Sequence, residues 1–318
     1  MGVEAVGQGL NRITLPRSGG MKLGDLLKQL VLQADEDNLR AHAGNLAFHG
    51  LFALFALSIL AFSLLGVFGA RDLVAALIEE LSGPLPNPVV QVMQEYIFDS
   101  TRSVTSGGAT LQTATAVLAS LYGLSATARS VVDGMNMMYE VKESRSLLRR
   151  LLLSTAMALV VLTLFLSATA LFLLGPRIGG GLFAVLRLED FARGVLITGR
   201  WPLLIVLLLF VYSLVYWSAP AISLRFRLFT YGSVTALILW LGFTFVFSFY
   251  VEVIGSFNVT YGALGGVVLL LLYMFFSSFI LFIGAEINDI LRRQGTFPGR
   301  VATGSEARSF QREKRPGE

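Results

Sequence analysis

The chain contains no cysteine and only two histidines, His42 and His49. Without thiols there is no disulfide framework, no thiolate metal site and no cysteine nucleophile. Two imidazoles are too few for a histidine-rich metal site, and no metal or cofactor is expected. Charge is scarce: 14% of the 318 residues are Asp, Glu, Lys or Arg, against about 25% in an ordinary soluble domain. Hydrophobic residues make up 54%, and the charges lie between long apolar runs rather than within them. That composition is an integral membrane protein's. No G-x-x-x-x-G-K-[ST] loop, H-E-x-x-H helix or Gly-x-Ser-x-Gly elbow occurs. The first absence excludes an ATP-driven engine within this chain, and the others remove common hydrolytic signatures. No cleavable signal peptide is expected, because the first 45 residues hold no long apolar core ahead of a small-residue cleavage site.

What is present is a series of apolar runs at about 46–68, 111–136, 151–174, 201–219, 232–254 and 263–283. Each suits a hydrocarbon layer of ~30 Å at a rise of ~1.5 Å per residue. The expected fold is all-α, a polytopic membrane bundle of six transmembrane helices with amphipathic interfacial helices. One of these covers 21–39, where Leu23, Leu26, Leu27, Leu30 and Val31 recur at helical spacing. It either lies in the membrane interface or packs on the protein's own cytoplasmic loops. Two more are expected at 71–81 and 89–99, separated by Pro84, Pro86 and Pro88. Residues 1–20 and the basic 291–318 read as disordered tails around a single domain of 21–290.

Lys and Arg are divided unevenly between the connections. With six spans, 19 fall on the side of the termini and 6 on the other, together the 25 of the chain. The positive-inside bias therefore puts both termini in the cytoplasm. It also explains the net charge of +4 without a nucleic-acid partner. In the second run Ala116, Ala119, Ser120, Gly123, Thr127, Ser130 and Gly134 form a small-residue stripe at 3–4 spacing. Such a stripe lets helices approach closely in lipid, so this helix is expected to be central. At its end Arg129 and Asp133 stand i,i+4 and can pair.

The last two runs flank a linker, GSFNVTYG (255–262), which has no charge. Gly255 and Gly262 permit the reversal, and Asn258 and Thr260 can bond freed helix-end groups, making an outer hairpin with Tyr261 of structural or gating use. The final helix ends in G-A-E-I-N-D, carrying Glu286, Asn288 and Asp289 to the opposite face. The run G-S-F-N-V-T-Y-G-A-L-G followed by an apolar helix ending G-A-E-I-N resembles the last hairpin of the YihY/BrkB family of bacterial inner-membrane proteins. Ser125-Ala126 and Asn136-Met137-Met138-Tyr139 resemble a second segment of that family. One departure is Ala56 after Ala53-Leu54-Phe55, where the family has a Phe-Pro step. The family once carried the label ribonuclease BN. Metal-dependent RNA hydrolysis needs clustered His, Asp or Glu ligands outside lipid, and these residues offer none, so no enzyme activity is expected.

The resemblance implies a protein of the bacterial cytoplasmic (inner) membrane linked to envelope integrity, serum resistance and a suggested role in lipid export. The first reading is a transporter or flippase-like carrier of a lipid or other amphiphile. The alternative is a non-transporting scaffold or accessory subunit of an envelope complex. Membrane lipids are the expected partners, with a homo-oligomer or envelope-complex partner as further candidates. Arg129, Asp133, Asn136, Tyr139, Glu286 and Asn288 are the candidate binding residues, since parallel second and sixth spans would bring these polar ends together. The bland reading of the same cluster is that it only pins helix ends.

Overall fold

The computed structural model describes residues 22–67, 109–164, 200–254 and 258–294. The elements among them are seven α-helices: α1 (Leu23–Glu36), α2 (Leu39–Val67), α3 (Ala109–Met138), α4 (Leu147–Leu164), α5 (Arg200–Ser218), α6 (Tyr231–Ile254) and α7 (Asn258–Arg293). Among the described residues three stretches, Leu147–Leu164, Tyr231–Glu252 and Gly265–Arg293, are long and apolar enough to cross a membrane, and Pro202–Ser218 is a shorter apolar helix. The outward faces are apolar. Leu147 and Leu152 on α4, Ile238 and Phe245 on α6 and Val268 on α7 are each more than 60% exposed. Exposed apolar surface on this scale needs acyl chains as its solvent.

The last helix is the hub. α7 packs on α1, α2, α3 and α6, and Tyr216 of α5 donates its hydroxyl to Leu281 O at 2.9 Å. Along the α6–α7 hairpin, Trp240 Nε1 donates to Ser277 Oγ at 3.1 Å, and Thr244 Oγ1 lies 3.2 Å from the Tyr273 hydroxyl. Interhelical bonds of this kind replace the hydrophobic drive that lipid removes. The small stripe of α3 works as expected on two sides. A Cβ at Gly123 would lie 3.1 Å from the Ala53 Cα of α2, and one at Gly134 would run into the Phe282 ring of α7.

The helices alternate in direction, so one end of the bundle collects the starts of α2, α4 and α6 with the ends of α1, α3, α5 and α7. Bonds between those ends, given below, fix this polar end. There α1 packs on the end of a helix, α7, rather than on loops. Leu26 is buried against Ile287, Ile290 and Leu291 of α7, while Val31 and Leu32 on the other side stay exposed.

Two boundaries differ from the sequence reading. α7 starts at Asn258, so Asn258, Tyr261 and Gly262 belong to its first turns rather than to a linker. Asn is a good helix-start residue and no proline follows it, so nothing in 258–262 stops the helix. At its other end α7 runs on to Arg293, with Leu291 and Arg292 buried. The basic tail therefore begins later than 291, because Asp289 pairs with both Arg292 and Arg293 one turn on. Gly255, the helices expected at 71–81 and 89–99, and the tails 1–20 and 295–318 lie outside the described residues.

Candidate functional site

The polar end is built on three connections. At the end of α3, Glu140 takes a left-handed φ of 47°, and the Val141 N–H reaches back to Asn136 O at 2.9 Å. That is a Schellman closure, usually made with glycine. Glu140 is held there by Arg293, whose Nη1 lies 3.0 Å from Glu140 Oε2. The next residues fold α4 back along α3. Asn136 Nδ2 donates to Glu143 Oε2 at 2.9 Å, and Glu143 Oε1 accepts the Arg145 N–H at 3.0 Å.

The same segment grips the α5–α6 connection, residues 219–230. Asn136 Oδ1 accepts the Ala221 N–H at 2.7 Å, and Arg145 donates to Ala219 O at 3.2 Å and to Pro220 O. From α5, Trp217 Nε1 donates to Leu224 O at 2.9 Å and Ser213 Oγ to Leu228 O at 2.6 Å. The carbonyls of this one connection are thus bound by side chains from its neighbours.

The third junction is α6 on α7. The Gly232 N–H donates to Asn288 Oδ1 at 2.9 Å. Asn288 also hydrogen-bonds Tyr139, whose phenol burial pushes well above the ordinary tyrosine range, so it remains a neutral hydrogen-bonding group. The Arg292 guanidinium lies over the Tyr139 ring, 5.9 Å from its centre, a cation–π contact.

Between these junctions lies a small open pocket of about 50 Å³. Tyr139, Ser213, Tyr216, Trp217, Leu224, Thr230 and Asn288 line it together with Arg225, Arg227 and Arg292. It sets aromatic and aliphatic side chains beside three guanidinium groups, and no carboxylate is among its described lining residues.

The expected site residues divide accordingly. Tyr139 and Asn288 line the pocket. Asn136 stands one step behind, holding the connection. Glu286 is buried at 1% exposure behind the pocket, with an Oε2 that has no hydrogen-bond partner. Asp37, Asp289 and Glu140 are the other carboxylates facing it. Asp133 pairs with Arg150 of α4, so the expected Arg129–Asp133 pair does not form, and neither residue lines the pocket. The reason is the folded-back α3–α4 connection, which delivers an arginine from 17 residues on.

Arg145, Arg225 and Arg227 are not among the residues expected at the site, because their charges enter only the count of basic residues. His49 is hydrogen-bonded, its Nδ1 2.9 Å from Asn45 O and 3.2 Å from Ser130 Oγ.

A family model described as Virulence factor BrkB matches residues 30–308, a stretch that takes in α2 to α7 whole. The chain belongs to the BrkB family. With its apolar outward faces, this BrkB-family chain is an integral membrane protein. One relative is a ribonuclease-like protein, YfkH, of Bacillus subtilis (strain 168). It is 30% identical over 182 residues, which are 57% of the present chain and 66% of YfkH, so the match spans just under two thirds of that protein. No solved structure matches. Among the described residues of the BrkB-family chain, no group of three or more His, Cys, Asp or Glu side chains could hold a metal ion.

Proposed function

We propose that this BrkB-family protein is a carrier for a lipid or other amphiphile in the bacterial inner membrane, without enzyme activity of its own. In this reading α2 to α7 are six spans, and the polar end with both chain termini faces the cytoplasm. The observation that carries it is the pocket at the polar end, where an aromatic and aliphatic wall stands beside charged groups. An amphiphile needs both surfaces at one place.

The second reading is a non-transporting scaffold, and the crossing of α6 over α7 favours it. A Cβ at Gly284 would lie 2.8 Å from Gly232 O and 2.9 Å from Ala236 Cβ. Contact that close leaves little room for sliding between these two helices.

Reconstitution separates the readings. Purified protein is placed in vesicles holding a trace of lipid with a fluorescent headgroup, and a membrane-impermeant reductant is added outside. A carrier exposes inner-leaflet label, so fluorescence falls below the half left in protein-free vesicles. Identical traces with and without protein would leave the scaffold reading.

A further inference from the structure

We propose that the pocket between α5, the 219–230 connection and α7 binds a phosphate anion, presented on a lipid headgroup or free in solution. This deepens the carrier reading and rests on it only for the fate of the bound molecule.

The first argument is charge. Arg225, Arg227 and Arg292 line one pocket, and no Asp or Glu is among its described lining residues. Arg292 is already engaged by Asp289, its Nη2 2.6 Å from Oδ1. Its charge is therefore offset, and it serves mainly to fix the Tyr139 wall. Arg225 and Arg227 are exposed, stand two apart in the connection and both line the pocket. Each guanidinium has five N–H donors in a planar fork, so one contact leaves others to meet an oxyanion in bidentate fashion.

The second argument is that the neutral groups are already used. Ser213, Tyr216 and Trp217 each donate to a backbone carbonyl. Asn288 accepts from Gly232, and Thr230 pairs with Ser233 at 2.9 Å. These groups give the pocket its shape. The charged groups among the described lining are all cationic, so the pocket favours an anion.

The third argument is position. Phe226 stands between the two arginines in sequence, with its ring edge-on to Trp217 at 5.7 Å and to Phe210 at 6.0 Å. Trp217, Phe226 and Phe229 are all more than 40% exposed. Exposed aromatics beside arginine at the end of an apolar helix mark the headgroup level of a bilayer. Phosphate is the anion most abundant there.

The test is binding by the full chain in detergent, read by native mass spectrometry. Phosphatidylglycerol and diacylglycerol of the same acyl chains are compared at low ionic strength, with glycerol 1-phosphate and inorganic phosphate as chain-free competitors. The expected result is at least a tenfold preference for phosphatidylglycerol, removed in R225Q/R227Q and largely restored in R225K/R227K. Displacement by chain-free phosphate would assign the site to a soluble anion, and its failure would assign it to a lipid. Equal binding of the two lipids, or a preference unchanged in R225Q/R227Q, would overturn the proposal. So would a short RNA that competes better than either phosphate. The carrier reading fails separately: a pocket that binds phosphatidylglycerol in a protein that moves no labelled lipid keeps this inference and loses that one.

Discussion

Gly232 and Gly284 bring the backbones of α6 and α7 into direct contact. The Gly284 carbonyl occupies the place that a Cβ on Gly232 would need, and the Tyr216 hydroxyl and Gly232 O crowd the place of a Cβ on Gly284. The Gly232 N–H is bonded to Asn288 one turn further along. Glycine is required at both positions by lack of room, since each lies within a helix.

The first prediction follows from that contact. Gly284→Ala should lower the thermal stability of the detergent-solubilised protein, with overpacking of ~1–3 kcal/mol. Gly242, also on α6, has nothing within 4 Å of the position a Cβ would take, so Gly242→Ala should cause no loss. Melting both variants beside the parent checks the pair. Equal melting temperatures for all three would mean that α6 and α7 are not held at this crossing.

Gly123 gives the second. It faces Ala53 of α2, and Gly123→Leu should force α2 and α3 apart, again for ~1–3 kcal/mol. An unchanged melting temperature would put the α3 stripe against lipid.

Glu286 and Asn288 should respond in opposite ways. Asn288→Ala removes the partner of the buried Gly232 N–H and should cost ~1–3 kcal/mol. Glu286→Gln replaces a buried carboxyl crowded by Asp37, Asp289 and Glu140 with a neutral amide of the same shape, and changes an oxygen that has no partner. It should therefore leave stability unchanged or raise it. A strongly destabilised Glu286→Gln would show that the carboxylate holds the helix ends together.

Topology is tested by reporter fusions after residues 45, 140 and 295. All three should report the cytoplasm, as the 19-to-6 division of basic residues requires. A periplasmic signal from any one would refute the six-span arrangement.

Nuclease activity is expected to be absent. Purified protein should leave tRNA precursors intact with Mg²⁺, Mn²⁺ or Zn²⁺ present. Cleavage that copurifies with the protein and disappears in Asp133 or Glu286 variants would contradict this.

The parts of the fold legible in the sequence were those carried by periodicity. The small stripe of α3 and the apolar run of α7 each name their own faces, because a helix repeats every 3.6 residues whatever surrounds it. Tyr139 and Asn288 could be placed near one another because both follow the ends of parallel runs. Arg150 could not be given to Asp133, since that pair depends on how Glu143 and Arg145 fold the α3–α4 connection, and no spacing encodes it. Arg225 and Arg227 were visible as charges, but their role depends on the neighbours that fix the connection carrying them. The start of α7 at Asn258 was obscured because glycine, asparagine and threonine suit a linker and a helix start alike.

The grip of Asn136 and Arg145 on Ala219, Pro220 and Ala221 also has a mechanical meaning. It ties α2–α4 to α5–α7, the two three-helix halves of the bundle. A carrier that worked by rocking its halves apart at the polar end would have to break these hydrogen bonds first, at about 0.5–1.5 kcal/mol each. The polar end is therefore latched in this conformation. In such a carrier Asn136 and Arg145, together with the Glu140–Arg293 pair across the same divide, would set how often the latch opens.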